Sequence, residues 1–161
     1  DGVTFVPAMA GLGAPHWRSS ATGLVCGLRP HHRAEHLARA AMDAMAMQVA
    51  DVFEAMRRES CLEMSSLHAD GGATRNSTLM QVQADVLGLP VYRCLQEELS
   101  ALGVVRLGGL MLGWWTDLPS AEVLRRPGDT FMPSISASER QRMRDTWRLA
   151  LNRVLLERVP Q

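Results

Sequence analysis

An α/β fold organised around a parallel βαβα unit is predicted by three features of the sequence. Short apolar runs at residues 64–69 and 90–93 are bounded by turn-forming residues, as buried strands are. Each is followed by apolar residues at helical spacing, over 77–87 and 97–112. A longer helical pattern precedes both, beginning near Arg33. Strands that alternate with helices favour parallel pairing. The right-handed crossover then puts the loops after both strands at the carboxyl edge of the sheet, where open α/β sheets bind ligands.

The size and composition of the chain suit such a unit. Its 161 residues can form one domain with a core, and not two of ordinary size. It is 47% hydrophobic and 21% charged with a formal net charge of zero. That balance implies no nucleic-acid partner, because binders of a phosphate backbone carry a basic excess. All 17 basic residues are arginine, so no P-loop lysine or Schiff-base lysine exists here. Cys26, Cys61 and Cys94 are far apart, with no Cys-x-x-Cys pair and no secretory leader, which predicts a reducing, cytoplasmic setting. No apolar run is long enough for a membrane span, the nearest being residues 107–115, which glycines interrupt. The chain starts at Asp1 without a Met and is expected to be a piece of a longer polypeptide.

In chain order, residues 3–7 and 22–28 read as strands. Between them lies a loop of turn formers, Gly11-Leu12-Gly13-Ala14-Pro15-His16-Trp17, expected to pack on the surface. The helix from Arg33 carries Leu37, Ala40, Ala41, Ala44, Met45, Val49, Val52, Phe53 and Met56 at spacings of three and four, which predicts that this stripe is buried. Met42, Met45, Met47 and Met56 are read as gap-filling core. Gly88 is expected to end the helix over 77–87. The helix over 97–112 has a small-residue side (Ala101, Gly103, Gly108, Gly109), expected to pack closely on a sheet rather than on a ligand. A short helix is expected over 120–125 and an extended connection over 129–133. Ser136 with Glu139 has capping-box spacing and opens a last helix to about Leu156, whose arginines are expected to form a solvated face.

The stretch that could carry chemistry is His68-Ala69-Asp70-Gly71-Gly72-Ala73-Thr74-Arg75-Asn76, a strand, a glycine turn and a helix N-cap. Glycines let a ligand approach the backbone, and the first amides of a helix offer free N–H groups and a positive dipole end, so the corner suits a phosphate. Taken alone, these nine residues favour an ordinary αβ-type turn with an Asn N-cap over a phosphate site. Asp70 is either a carboxylate acting beside a nucleotide through Mg²⁺ and water, or a side chain that fixes the turn by accepting backbone N–H groups. His31, His32, His36 and Glu35 lack the spacing of a zinc site, and Ser77 has no partner for hydrolase chemistry.

Four ordered motifs resemble the FGGY carbohydrate kinases, in their glycerol kinase branch. Gly23-Leu24-Val25-Cys26-Gly27-Leu28, followed by His36-Leu37-Ala38-Arg39-Ala40-Ala41-Met42-Asp43, is similar to the second signature of that family. The Gly11–Trp17 loop is similar to its counterpart, as are the Asp70-Gly71-Gly72 turn with Asn76, and Ser100-Ala101-Leu102-Gly103 with Gly108-Gly109-Leu110 and Gly113-Trp114-Trp115. The resemblance spans residues 3–151, with departures at Arg18, Ser19 and Arg106. It implies an actin-like ATPase (ribonuclease-H-like) C-terminal kinase domain lacking its first strands, with the N-terminal substrate domain absent. It implies transfer of the ATP γ-phosphoryl group to a small polyol or sugar, glycerol above all, with ATP and Mg²⁺ as cofactors. The nucleotide-binding residues are then Gly71, Gly72 and Asn76, Asp70 supports the turn, and no catalytic residue lies in this chain. Two other readings stay open at this point: a non-catalytic nucleotide-binding module, and a kinase of another sugar such as a pentulose. No membrane partner is implied, and a homo-oligomer is left open.

Overall fold

The computed structural model describes residues 2–60, 63–94, 99–117 and 127–156. The expected helix over 120–125 and Cys61 lie outside them.

Two strands open the chain. β1 (Thr4–Val6) and β2 (Leu24–Cys26) pair antiparallel with Phe5 opposite Val25. The loop between them closes on itself, since Leu12 and Arg18 exchange backbone hydrogen bonds of 2.8 and 2.9 Å. Leu12 is buried beneath that loop, while Trp17 lies 78% exposed with φ 49°. Helix α1 (Ala34–Ser60) then crosses behind β1.

A second sheet has the order β3-β4-β5. β3 (Leu67–Ala69) and β4 (Val91–Cys94) are parallel as predicted, with His68 opposite Tyr92. Helix α2 (Ser77–Leu87) is the crossover between them, with the predicted boundaries. Gly88 ends it at φ 69°, and its N–H donates to Ala84 O at 2.8 Å. Helix α3 (Leu99–Met111) follows β4, and β5 (Pro127–Phe131) returns antiparallel to it. Helix α4 (Ala137–Leu156) closes the chain, with Ser136 Oγ accepting the Glu139 N–H at 3.2 Å as the capping spacing predicts.

The core lies where α1, α2 and α4 meet β1. Val6, Ala44, Ala46, Met47, Ala50, Met80, Val82, Ala84, Val86, Trp147, Leu151 and Val154 are buried there. Small side chains bring α1 and α2 close enough for buried Gln83 to donate from Nε2 to Ala46 O at 3.3 Å, which satisfies a polar group inside the core. Trp147 Nε1 on α4 donates to Asp51 Oδ2 on α1 at 2.7 Å, and His16 Nε2 stands 3.4 Å from the same oxygen.

The structure corrects four expectations. The buried face of α1 is Ala40, Ala44, Ala46, Met47, Ala50 and Phe53, whereas Leu37, Met45, Val49 and Met56 are exposed. Apolar residues occur all round this helix, so spacing alone did not select the face that meets α2 and β1. Residues 129–133 contain the end of a strand and not only a connection, because the backbone of Pro127–Phe131 finds its hydrogen-bond partners on β4. Among the described residues the small residues of α3 do not pack on a sheet: a side chain at Gly103 or Gly108 would meet nothing within 4 Å, whereas Gly109 is closely covered by Trp115. The arginine face of α4 is not wholly solvated, since Arg144 is mostly buried, with Nη1 3.9 Å from Glu54.

Among the described residues, no helix is long and apolar enough to cross a membrane.

Candidate functional site

The glycine corner forms at the carboxyl end of β3. Gly71 adopts φ 85° and ψ 173°, a conformation that only glycine adopts without strain. It swings the chain into a single 3₁₀ turn, Gly72–Arg75. Buried Thr74 holds this turn: its backbone N–H and its Oγ1–H both donate to Gly71 O, at 3.1 and 2.8 Å. Asp70, expected to support the turn, does not. Its carboxylate is exposed and accepts no hydrogen bond from the turn amides, because Thr74 already closes the turn onto Gly71 O.

Asn76 caps α2 as the sequence predicts, with Oδ1 accepting the Leu79 N–H at 3.1 Å and its own backbone O accepting from Met80 at 3.1 Å. The Asn76 Nδ2 faces Met42 Sδ of α1 at 3.5 Å. Gly71, Gly72 and Asn76 therefore sit on one continuous corner, ahead of an 11-residue helix whose first amides lack intrahelical acceptors. Ideal Cβ atoms on Gly71 and Gly72 would meet no heavy atom within 4 Å, so a ligand can come up against this backbone. Such a corner can hold a phosphate group, the part of ATP that interacts through N–H donors and a helix dipole. Exposed Asp70 beside it is of the right type to share a Mg²⁺ ion with phosphate oxygens and water. Among the described residues no group of three His, Cys, Asp or Glu side chains could hold a metal by itself.

Beneath the corner lies a residue that sequence reasoning passed over. Arg93, near the end of β4, donates from Nη1 to Thr74 O at 3.1 Å and to Ser77 Oγ at 3.3 Å, and from Nη2 to Asp129 Oδ2 on β5. Its guanidinium also lies 5.4 Å from the centre of the Phe131 ring. An arginine in a short strand gave no sequence signal for this role.

The other singled-out residues lie apart from the corner or carry no chemistry. His31, His32 and His36 cluster before and within the first turn of α1, with ring centroids 4.2 to 6.4 Å apart. The backbone N–H groups of Arg29 and Arg33 donate to Nδ1 of His32 and His36, at 2.8 and 3.0 Å. Arg106 has Nε and Nη2 enclosed without hydrogen-bond partners among the described residues, while its backbone O accepts from Trp115 Nε1 at 2.9 Å.

Comparison with known proteins places these features in a family. Residues 1–112 match the C-terminal domain of the FGGY family of carbohydrate kinases. The chain is 43% identical to the glycerol kinase of Aquifex aeolicus over 96% of its own length and 32% of that protein. It is 44% identical to the glycerol kinase of Rhodopirellula baltica over 95% of its length and 28% of that protein. Among solved structures it superposes on Plasmodium falciparum glycerol kinase with ADP at TM-score 0.86 and 31% identity, covering 98% of this chain and 31% of that one. The fold is also that of the gluconate kinase from Lactobacillus acidophilus, TM-score 0.84 at 20% identity, covering 97% of this chain and 32% of that one. The fold is thus that of the actin-like sugar kinases, and the chain spans about a third of the length of the relatives it matches. The chain belongs to the FGGY family of carbohydrate kinases, within the C-terminal domain.

Proposed function

We propose that this chain supplies the nucleotide-phosphate side of the site of an ATP-dependent kinase whose acceptor is glycerol. The observation that carries this reading is the open Gly71–Gly72 backbone at the head of α2, where donor groups converge without a P-loop or a lysine. The names of the similar glycerol kinases, and the ADP in one of them, support the choice of nucleotide and acceptor.

In this reading the backbone of Gly71 and Gly72 lies against the phosphates, and Asn76 offers the second hydrogen of its exposed Nδ2 to the nucleotide. ATP supplies the phosphoryl group; a Mg²⁺ ion would be held on this side by the exposed Asp70 carboxylate and would neutralise charge on the phosphates. The acceptor hydroxyl forms a bond to the γ-phosphorus as the bond to the β-phosphate oxygen breaks, and its proton passes to a base outside this chain. The corner's contribution is positioning and charge stabilisation, which account for most of phosphoryl-transfer catalysis.

Residues 1–161 then form the later part of a C-terminal nucleotide-binding domain, and polypeptide outside them carries the acceptor site and the base. The outer edge of β3 supports this reading, since among the described residues β3 pairs with β4 alone and leaves room for further strands. A cytoplasmic setting, rich in ATP, fits the unpaired thiols of Cys26 and Cys94.

The test compares this chain and the full-length protein that contains it in a coupled ADP-release assay with glycerol and with a panel of sugars. The full-length protein is expected to phosphorylate glycerol, and the chain alone to be inactive. Equal rates would refute the external base, and a full-length enzyme that prefers a pentulose would refute the acceptor.

A further inference from the structure

We propose that Arg93 is a positioning residue for the nucleotide corner, locking the Gly72–Arg75 turn and the first turn of α2 onto β5. This rests on the reading of that corner as the phosphate site.

Three elements meet at this one guanidinium. Its Nη1 reaches the carbonyl that ends the buried part of the turn, Thr74 O, and the hydroxyl of the first residue of α2, Ser77 Oγ. Its Nη2 reaches Asp129 on β5, and its face lies over Phe131 on the same strand. The side chain is only 17% exposed, and its Nε is enclosed with no partner among the described residues, so the arginine is held by its other donors. A planar fork can serve a carbonyl, a hydroxyl and a carboxylate at once from fixed directions, which the single ammonium of a lysine cannot.

A second tether runs in parallel. Asp85, near the other end of α2, accepts from the backbone N–H of Ser134 just beyond β5. Both ends of α2 are thus fastened to the strand and the link that lead into α4. The helix that points its free amides at the corner is aimed from β5. Without Arg93 its first turn would lose the fastening at the end nearest the phosphate, and a displacement of about 1 Å there matters greatly for phosphoryl transfer.

The partners of Arg93 belong to the corner, α2 and β5, so its loss should act on ATP and not on glycerol. Asp129 separates positioning from charge. If Arg93 acted only through its positive charge, removing the neighbouring carboxylate would strengthen the field on phosphate and tighten ATP. If Arg93 acts by being held in place, removing Asp129 frees the fork and weakens ATP. Asp129 is mostly exposed, so its truncation leaves the fold in place.

The experiment is steady-state kinetics and ATP titration calorimetry on the full-length protein, wild type beside Arg93→Met, Arg93→Lys and Asp129→Ala, with thermal melting of each. The expected result is a KM for ATP raised about tenfold in Arg93→Met, which corresponds to about 1.4 kcal/mol. Arg93→Lys should restore part of this, Asp129→Ala should raise KM in the same direction, and the KM for the acceptor should stay within about threefold throughout. Unchanged or tighter ATP binding in Asp129→Ala overturns the proposal. So does a parallel rise of both KM values with a fall in melting temperature, which marks a purely structural role. Failure of the wild type to bind ATP would instead refute the assignment of the corner itself.

Discussion

Asp85 Oδ1 accepts the backbone N–H of Ser134 at 2.6 Å, which joins the middle of the sequence to the link between β5 and α4. The same oxygen also takes Ser134 Oγ–H and Gln81 Nε2–H, each at 3.0 Å, and Gln81 goes on to Met132 O at 2.8 Å. A buried carboxylate serving three donors stabilises more than a surface pair, and its removal leaves those donors unpaired. Asp85→Ala is expected to cost about 1–3 kcal/mol in urea unfolding of the chain, and Asp85→Asn clearly less. Equal losses for the two would show that the negative charge, and not acceptor geometry alone, holds the link.

Two glycines with nearly the same φ separate conformational strain from collision. Gly27 and Gly71 have φ of 81° and 85°. A Cβ on Gly27 would strike the carbonyl oxygen of Gly2, a backbone atom that cannot swing aside, while a Cβ on Gly71 would meet nothing within 4 Å. Gly71→Ala is therefore expected to cost only the backbone strain of a side chain at φ 85°, ψ 173°, roughly 1–3 kcal/mol. Gly27→Ala should cost more, because β1 must also move away from β2. Urea midpoints of the two variants measure the difference, and equal losses would contradict the predicted collision.

The start of α1 should be sensitive to acid. Desolvation of the His32 ring first, and then the nearby His31, His36 and Arg29, hold its pKa below the ordinary histidine value. Its Nδ1 also accepts the Arg29 N–H, a bond that needs the neutral ring. The folded state therefore binds its proton less readily than the unfolded chain, so the contribution to stability is present above about pH 6.5, the unfolded value, and is lost as pH falls through the lower folded value. Hydrogen exchange of the first α1 amides is expected to accelerate from pH 7.5 to 5.5 beyond the intrinsic chemical trend, and His32→Asn to reduce that excess. A pH-independent protection factor would contradict it.

How much of this was legible in the sequence depended on how local the determinant was. The corner at Gly71, Gly72 and Asn76 was readable because a strand, a positive-φ glycine and an N-cap each follow from neighbouring residues. The bounds of α2 were readable for the same reason. The strand Pro127–Phe131 was not, since Pro127 and Gly128 are poor strand formers and the pairing with β4 is made in three dimensions. The buried face of α1 was obscured by alanine and methionine on every side. The place that Asp70 was expected to fill is taken by Thr74, whose hydroxyl lies three residues along the turn from its acceptor. Arg93 was invisible because its partners Thr74, Ser77 and Asp129 come from separate parts of the chain.

The assignment of the corner to nucleotide phosphate is tested most directly at Gly72. Its surroundings are open, so a β-branched side chain there should leave the fold largely intact and crowd only an approaching ligand. The measurement is titration calorimetry of Mg–ATP into the full-length protein, wild type and Gly72→Val, with the melting temperature of each recorded. A melting temperature within a few degrees of wild type is expected, with ATP affinity weakened at least tenfold, or about 1.4 kcal/mol. ATP affinity equal to that of the wild type would contradict it.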